Sequence, residues 1–247
     1  MHGTQSEASA LAREIRKGLK NINDVDVVLA PPFTCLGAVT RVLKGSAIGL
    51  AAQNVHWEEE GAFTGEISPK MLRALGCRFV IVGHSERRRL FQESDQAVAE
   101  KTLASLRAGL RPILCVGETS EERKKELTTR VFARQLRTAL KGVGKSAIEK
   151  IEIAYEPVWA IGTGQNATPR QISRAHRWIQ EVLQGLFGRK GAQKCRILYG
   201  GSVRPENAAE LARVPEVSGL LVGGASLKAT TFLSIVRSFR PHMGSGK

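Results

Sequence analysis

The chain has 247 residues, 42% hydrophobic and 24% charged, the balance of an ordinary globular protein long enough for one well-buried core. No apolar run approaches the roughly 18 residues of a membrane span, and Met1-His2-Gly3-Thr4 lacks a signal-peptide layout, so a soluble, cytoplasmic protein is expected. A formal charge of +14 suits either a nucleic-acid partner or an anionic substrate. However, Arg87-Arg88-Arg89, Arg123-Lys124-Lys125, Arg189-Lys190, Arg237 and Arg240 are scattered and come with no nucleic-acid-binding signature, which predicts a solvated surface.

In chain order, Thr4 and Glu7 have capping-box spacing, and Leu11, Ile15 and Leu19 follow at helical intervals. The chain therefore opens on a helix. Val25 to Ala30 reads as a buried strand stopped by Pro31-Pro32, Leu36 to Leu43 as a helix and Ile48 to Ala52 as a strand. A long excursion from Asn54 to Glu66 carries Thr64 near its end. Ser68-Pro69 then has the cap-and-first-turn pattern, leading into Met71, Leu72 and Leu75.

Phe79 to Gly83 is the next strand, with His84-Ser85-Glu86 at its end. A helix through Ala99, Leu103 and Leu106 leads to the strand Pro112 to Val116, and a charged helix is expected from about Ser120 to Leu140. Ile151 to Tyr155 is a strand ending on Glu156, before a stiff Pro157-Val158-Trp159 and a small-residue tip running to Gly164. Thr168-Pro169-Arg170-Gln171 is a second capping box, and Ile172, Ala175, Ile179, Val182 and Leu186 mark the apolar face behind it. The strands Arg196 to Tyr199 and Gly219 to Val222 run into Gly200-Gly201-Ser202 and Gly223-Gly224-Ala225-Ser226.

Strands alternating with amphipathic helices predict a parallel sheet, satisfied by a closed barrel or an open doubly wound sheet. Chemistry-bearing segments recur after strand after strand, which favours a barrel in one domain over residues 1–247. The count is seven strands. The four cysteines (Cys35, Cys77, Cys115 and Cys195) stand far apart, as free thiols in a reducing compartment would; no metal site is expected.

Glu156 under a closing loop suits a base beneath a lid, although a lone Glu-Pro is also an ordinary surface turn. His84 is either a satisfied structural histidine or an electrophile facing a substrate carbonyl. Glu86 is either a buried anchoring acid or a surface partner of Arg87 or Arg88. Glycine pairs after the last two strands are turns or a phosphate cradle, which Gly162 at the lid tip would complete.

Val82 to Arg88, Ala154 to Gly164, Tyr199 to Val203 and Leu221 to Ser226 resemble the signature motifs of the triosephosphate isomerase family. Ala30 to Thr34, Gln53-Asn54 and Pro112 to Glu118 resemble it as well, in order, from Met1 to about Arg237. The resemblance implies a (β/α)8 TIM barrel that interconverts dihydroxyacetone phosphate and D-glyceraldehyde 3-phosphate through an enediolate, without cofactor, in glycolysis and gluconeogenesis. It implies Glu156 as base, His84 as electrophile, Glu86 as supporting acid, and Gly162, Ser202, Gly223 and Gly224 as phosphate-binding residues. It also implies a homodimer with Thr64 on the docking loop. Gln165-Asn166 departs from the family's usual Lys followed by Thr or Val at the lid's far hinge.

Met1-His2-Gly3 resembles the turn that follows the family's first strand, which ends Asn-Trp-Lys. The expectation is that this strand, with its active-site Lys and Asn, is absent from this chain, so that the chain as given is a weak or inactive isomerase. The competing readings are a phosphate-binding barrel without catalysis or a poorly folded fragment and, more remotely, a basic nucleic-acid-binding protein.

Overall fold

Local capping fixes where several helices begin. In α1 (Gln5–Gly18) the Thr4 hydroxyl accepts the Glu7 N–H while Glu7 accepts the Thr4 N–H at 2.7 Å. The same reciprocal pair opens α6 (Ser120–Lys124) at Thr119/Glu122 and α8 (Pro169–Ala192) at Thr168/Gln171. The structure is a computed structural model describing residues 1–162 and 166–239. Gly164 of the lid tip, Gln165 of its hinge and Arg240 lie outside the described residues.

After α1 the chain runs β1 (Val28–Leu29), α2 (Leu36–Leu43), β2 (Gly49–Ala52), α3 (Pro69–Ala74), β3 (Phe79–Val82), α4 (Ser85–Leu90), α5 (Asp95–Arg107) and β4 (Arg111–Val116). Following α6 come α7 (Thr128–Ala139), β5 (Glu152–Tyr155), α8, β6 (Arg196–Tyr199), α9 (Pro205–Ala212), β7 (Gly219–Leu220) and α10 (Ala229–Ser238). The expected single helix from Ser120 to Leu140 is two. Glu126 takes a left-handed φ of 56°, Leu127 N–H returns to the Glu122 carbonyl and Glu126 N–H to that of Arg123, a Schellman stop made without glycine. In α8, Gly188 at φ 72° interrupts the helix, and the fully buried side of its stripe runs on through Leu183 and Phe187 rather than Val182 and Leu186.

The seven described strands are all parallel and pair in sequence order, β1 to β7. Alternation along each strand sorts side chains onto two faces. Ala51, Phe79, Ile81, Ile113, Cys115 and Ala154 cluster inside the sheet's curve. Leu50, Val80, Leu114, Ile153 and Ile197 face the helices in the main core. Each fully buried Leu or Ile there contributes about 1.5–3 kcal/mol. At the strands' N-terminal ends the buried Glu152 takes Arg111 at 2.7 Å and Arg196 at 3.0 Å, and Arg196 reaches on to Asp26 at 2.7 Å. This chain of charges ties β4, β5 and β6 in register.

The edges differ from the middle. β2, β3 and β5 are buried throughout, whereas the terminal strands β1 and β7 are two residues long and only half-buried. The helical layer nevertheless runs across that seam. Ile15 and Leu19 pack with Phe232, Leu233 and Val236 of α10, so closely that a Cβ on Gly18 would come within 2.3 Å of Leu233 Cδ1. No helix among the described residues is long and apolar enough to cross a membrane, and the four thiols are buried and unbridged.

Candidate active site

The lumen-facing register of β5 places Glu152, Ala154 and then Glu156 on one side, so the last carboxylate emerges at the strand's C-terminal end. The Glu156 N–H donates to the Val116 carbonyl at 2.8 Å, extending the ladder by one residue and fixing the Cα. The residue is only 2% exposed. Two donors meet the carboxylate, Ser85 N–H at 2.9 Å and the Ser85 hydroxyl at 2.8 Å, and His84 Nε2 stands 3.1 Å from it.

His84 and Ser85 are carried there by β3. Gly83 makes the turn at φ 69°, and Arg88 holds its carbonyl at 2.8 Å. A Cβ at Gly83 would meet Arg88 and Val98 at about 3.0 Å, so glycine serves both the conformation and the space. His84 caps α4, its Nδ1 accepting the backbone N–H of Glu86 at 3.3 Å. A nitrogen that accepts an N–H carries no proton, so Nε2 carries it, 3.1 Å from the Glu156 carboxylate. This is the geometry of a neutral imidazole that donates to an oxygen.

The Glu86 side chain is 67% exposed, with Nδ1 of His84 3.9 Å from its carboxylate. This is not the position of a buried anchoring acid; what Glu86 gives the site is its backbone N–H.

Ser202, Gly223 and Gly224 meet in a cleft of about 530 Å³ between the loops after β6 and β7. Asn207 organises one wall, donating to the Ser202 carbonyl at 2.9 Å, and Ser226 donates to the Gly223 carbonyl at 2.7 Å on the other. Gly162 is not gathered with them: it is exposed at φ 75°, with nothing within 4 Å of the Cβ it lacks. Thr64 stands on an exposed loop whose base packs His56 between Trp57 and Phe63, at 4.2 and 4.4 Å.

Other residues enter the site only through the fold. Gln135 of α7, buried, accepts the Gly117 N–H at 2.9 Å and donates to the Gly117 carbonyl at 3.2 Å. Gly117 in turn lies flat against the Glu156 main chain, where a Cβ would fall 1.8 Å from the Glu156 carbonyl oxygen. Cys115 projects into the lumen beside Glu156; burial first, and then the neighbouring carboxylate, push its thiol well above the ordinary range. At the near hinge of the loop, Arg123 stacks 4.0 Å over Trp159 and reaches Glu118 at 3.1 Å, while Tyr155 donates to the same oxygen at 3.2 Å. Burial raises the Glu118 carboxyl above its usual range despite these partners. The signal for this group was the Val116-Gly117-Glu118 segment at a strand end, legible as a motif but not as contacts. Among the described residues no group of three or more His, Cys, Asp or Glu is placed to hold a metal ion.

A parallel α/β barrel sheet with a carboxylate, an imidazole and a glycine-lined cleft at the C-terminal ends of its strands defines a barrel enzyme working from that face. The solved triosephosphate isomerase of Bartonella henselae superposes with a TM-score of 0.88 at 42% identity, over 98% of this chain and 96% of that one. Triosephosphate isomerases of Syntrophotalea carbinolica and Carboxydothermus hydrogenoformans are 51% and 50% identical over 237 residues, covering 96% of this chain and 94% of theirs. The triosephosphate isomerase family model matches residues 1–239. The chain belongs to the triosephosphate isomerase family, and it is an isomerase.

Proposed function

We propose that the chain interconverts dihydroxyacetone phosphate and D-glyceraldehyde 3-phosphate with Glu156 as base and His84 as electrophile. The carrying observation is the pairing of a Glu156 carboxylate with a His84 imidazole whose proton is fixed on Nε2. Glu156 takes a proton from the carbon beside the substrate carbonyl. Nε2–H of His84 gives its proton to the carbonyl oxygen as negative charge builds there and takes up the proton of the neighbouring hydroxyl in exchange, while Glu156 returns its proton to the former carbonyl carbon. The substrate phosphate sits in the cleft of Ser202, Gly223 and Gly224, where backbone N–H groups can approach without side-chain obstruction. Closure of the loop after Pro157 brings Gly162 to the same anion and excludes water. No cofactor takes part.

The resting carboxylate is held by the N–H and hydroxyl of Ser85. To reach a substrate carbon it leaves Ser85, and the loop that begins at Pro157 is the element whose movement releases it.

Three finer points belong to the same reading. The family's first strand, with its Lys and Asn, seats between β1 and β7; the short, half-buried edges of those two strands support this placement. The protein works as a homodimer through the Thr64 loop. Exposed Phe63, Met71, Leu90 and Phe91 support it, since apolar side chains of that size gain by being covered. The compartment is the cytoplasm, where buried free thiols stay reduced.

A coupled isomerase assay and solution mass measurement, on the 247-residue chain and on one extended upstream with an Asn-Trp-Lys strand, test the reading. The extended form should be a dimer with turnover at least on the order of 10²-fold higher, the effect of one charge-stabilising group. Equal activity in both forms would remove the strand and its Lys from the proposal. Inactivity of both would remove the catalytic reading.

A further inference from the structure

Folding assembles a basic groove that the sequence disperses. Along α1, Arg13, Arg16 and Lys17 fall at i, i+3 and i+4 and so share one helix face, and Lys20 follows in the turn just after its end. Arg41 of α2 stands across from them. Between the two helices lies a cavity of about 690 Å³ lined by these five cations with Ser9, Ala38 and Val42, and none of the described acidic side chains lines it. From its location we propose that this groove binds a small anion carrying two or more phosphate groups, at a site separate from the catalytic cleft.

None of the described ion pairs includes Arg13, Arg16, Lys17, Lys20 or Arg41, whereas Arg111, Arg134, Lys194 and Arg196 all pair with carboxylates. Like charges one helical turn apart repel, so the arrangement costs stability until an anion enters. The C-terminal ends of α1 and α2 bring roughly half a negative charge each, which offsets about one of the five cations. A net of about four positive charges remains, more than a single phosphate neutralises. The groove is also partly preorganised, since Arg16 is anchored by donation to the Val42 carbonyl at 2.6 Å.

Size and lining decide between anions. The cavity falls within the range of small-ligand sites, about 300–1,000 Å³. Its wall contains no aromatic ring, so nothing there stacks a nucleobase, the contact on which single-stranded nucleic acid and nucleotides depend. The chemistry that remains is an anion of two or more phosphate groups without a nucleobase, such as inorganic pyrophosphate, tripolyphosphate or a sugar bisphosphate. The C-terminal half of α1 leads into the start of β1, so the groove lies toward the end of the sheet opposite Glu156. An occupant there acts on the protein from outside the reaction.

Tripolyphosphate titrated calorimetrically at low ionic strength should show one saturable site, weakened at least tenfold in Arg13→Glu/Lys17→Glu and unchanged in Gly223→Asp, which blocks the catalytic cleft instead. Thermal melts confirm that each variant is folded, and Arg13→Gln/Lys17→Gln replaces the charge-reversed pair if that one does not fold. The groove variants should keep basal isomerase activity. Equal binding by parent and groove variants, or loss only in Gly223→Asp, would overturn the proposal. So would orthophosphate binding as tightly as tripolyphosphate, or a single-stranded oligonucleotide displacing tripolyphosphate from the groove.

Discussion

Ser85 holds the Glu156 carboxylate with both its backbone N–H and its hydroxyl, at 2.9 and 2.8 Å. The base is thus stored in a defined place, with a reach set by its own length. Glu156→Asp withdraws the carboxylate by about one methylene, and a misplacement of about 1 Å costs on the order of 10²-fold in rate. Turnover should fall by at least that factor while KM changes little. Steady-state kinetics decide it: comparable turnover for variant and parent would exclude Glu156 as the base.

Gln135 is expected to act on catalysis without touching substrate. Its amide clamps both polar groups of Gly117, and Gly117 backs the Glu156 main chain. Gln135→Met keeps the volume but leaves a buried N–H and C=O unpaired, at about 1–3 kcal/mol for each. The backbone should relax away from Glu156, lowering kcat about tenfold with KM unchanged, as a partial version of the 1 Å misplacement. Gln135→Glu, which still accepts the Gly117 N–H, should restore part of kcat. A loss of thermal stability with kcat intact would mean that Gln135 serves only the fold.

What the sequence made legible was local. Thr4/Glu7 and Thr168/Gln171 are capping boxes because each needs only four consecutive residues, and both form. The strand read from Val25 to Ala30 shrinks to Val28–Leu29 because strand length depends on the ladder, and only Gly49 and Leu50 pair with it. The break at Glu126 was invisible because a non-glycine residue takes the left-handed position. At the site, Glu156 and His84 stood out as polar groups at strand ends. The Ser85–Glu156 bonds join positions 71 apart and the Gln135–Gly117 bonds positions 18 apart, distances at which no spacing rule operates. The basic groove escaped notice for the same reason, since Arg41 comes from another helix.

Gly201 is the tightest point between the loop after β6 and the start of the lid. A Cβ there would lie 2.2 Å from Tyr199 Oη and 3.0 Å from Pro157 Cγ. Tyr199 is 1% exposed and has no room to yield. Gly201→Ala should therefore destabilise by about 1–3 kcal/mol, the usual cost of overpacking. At about 2–4 °C per kcal/mol for a chain approaching this size, Tm should drop by roughly 2–12 °C. An unchanged Tm would show that the loop moves aside freely.

His176 should set part of the acid limit of stability. It is fully buried against Tyr155, ring centroids 5.9 Å apart. Nδ1 lies 2.9 Å from the Glu216 carbonyl, so it carries the proton and donates it, and Nε2 is buried with no partner. Burial, outweighing the neighbouring Glu216, lowers the imidazole from 6.5 to about 4. In the unfolded chain the ring titrates near its ordinary value of about 6.5. As pH falls, the unfolded state therefore takes up the proton first. The stability tied to neutral His176 is complete above about 6.5, is lost progressively from there to about 4, and changes little below that. The gap corresponds to on the order of 3 kcal/mol. His176→Gln removes the titration and keeps a donor for the Glu216 carbonyl. Between pH 7.5 and 4.5 the parent's Tm should fall roughly 5–10 °C further than the variant's, at about 2–4 °C per kcal/mol. Thermal melts across that range read the difference directly. Parallel curves for the two proteins would show that His176 does not contribute to acid unfolding.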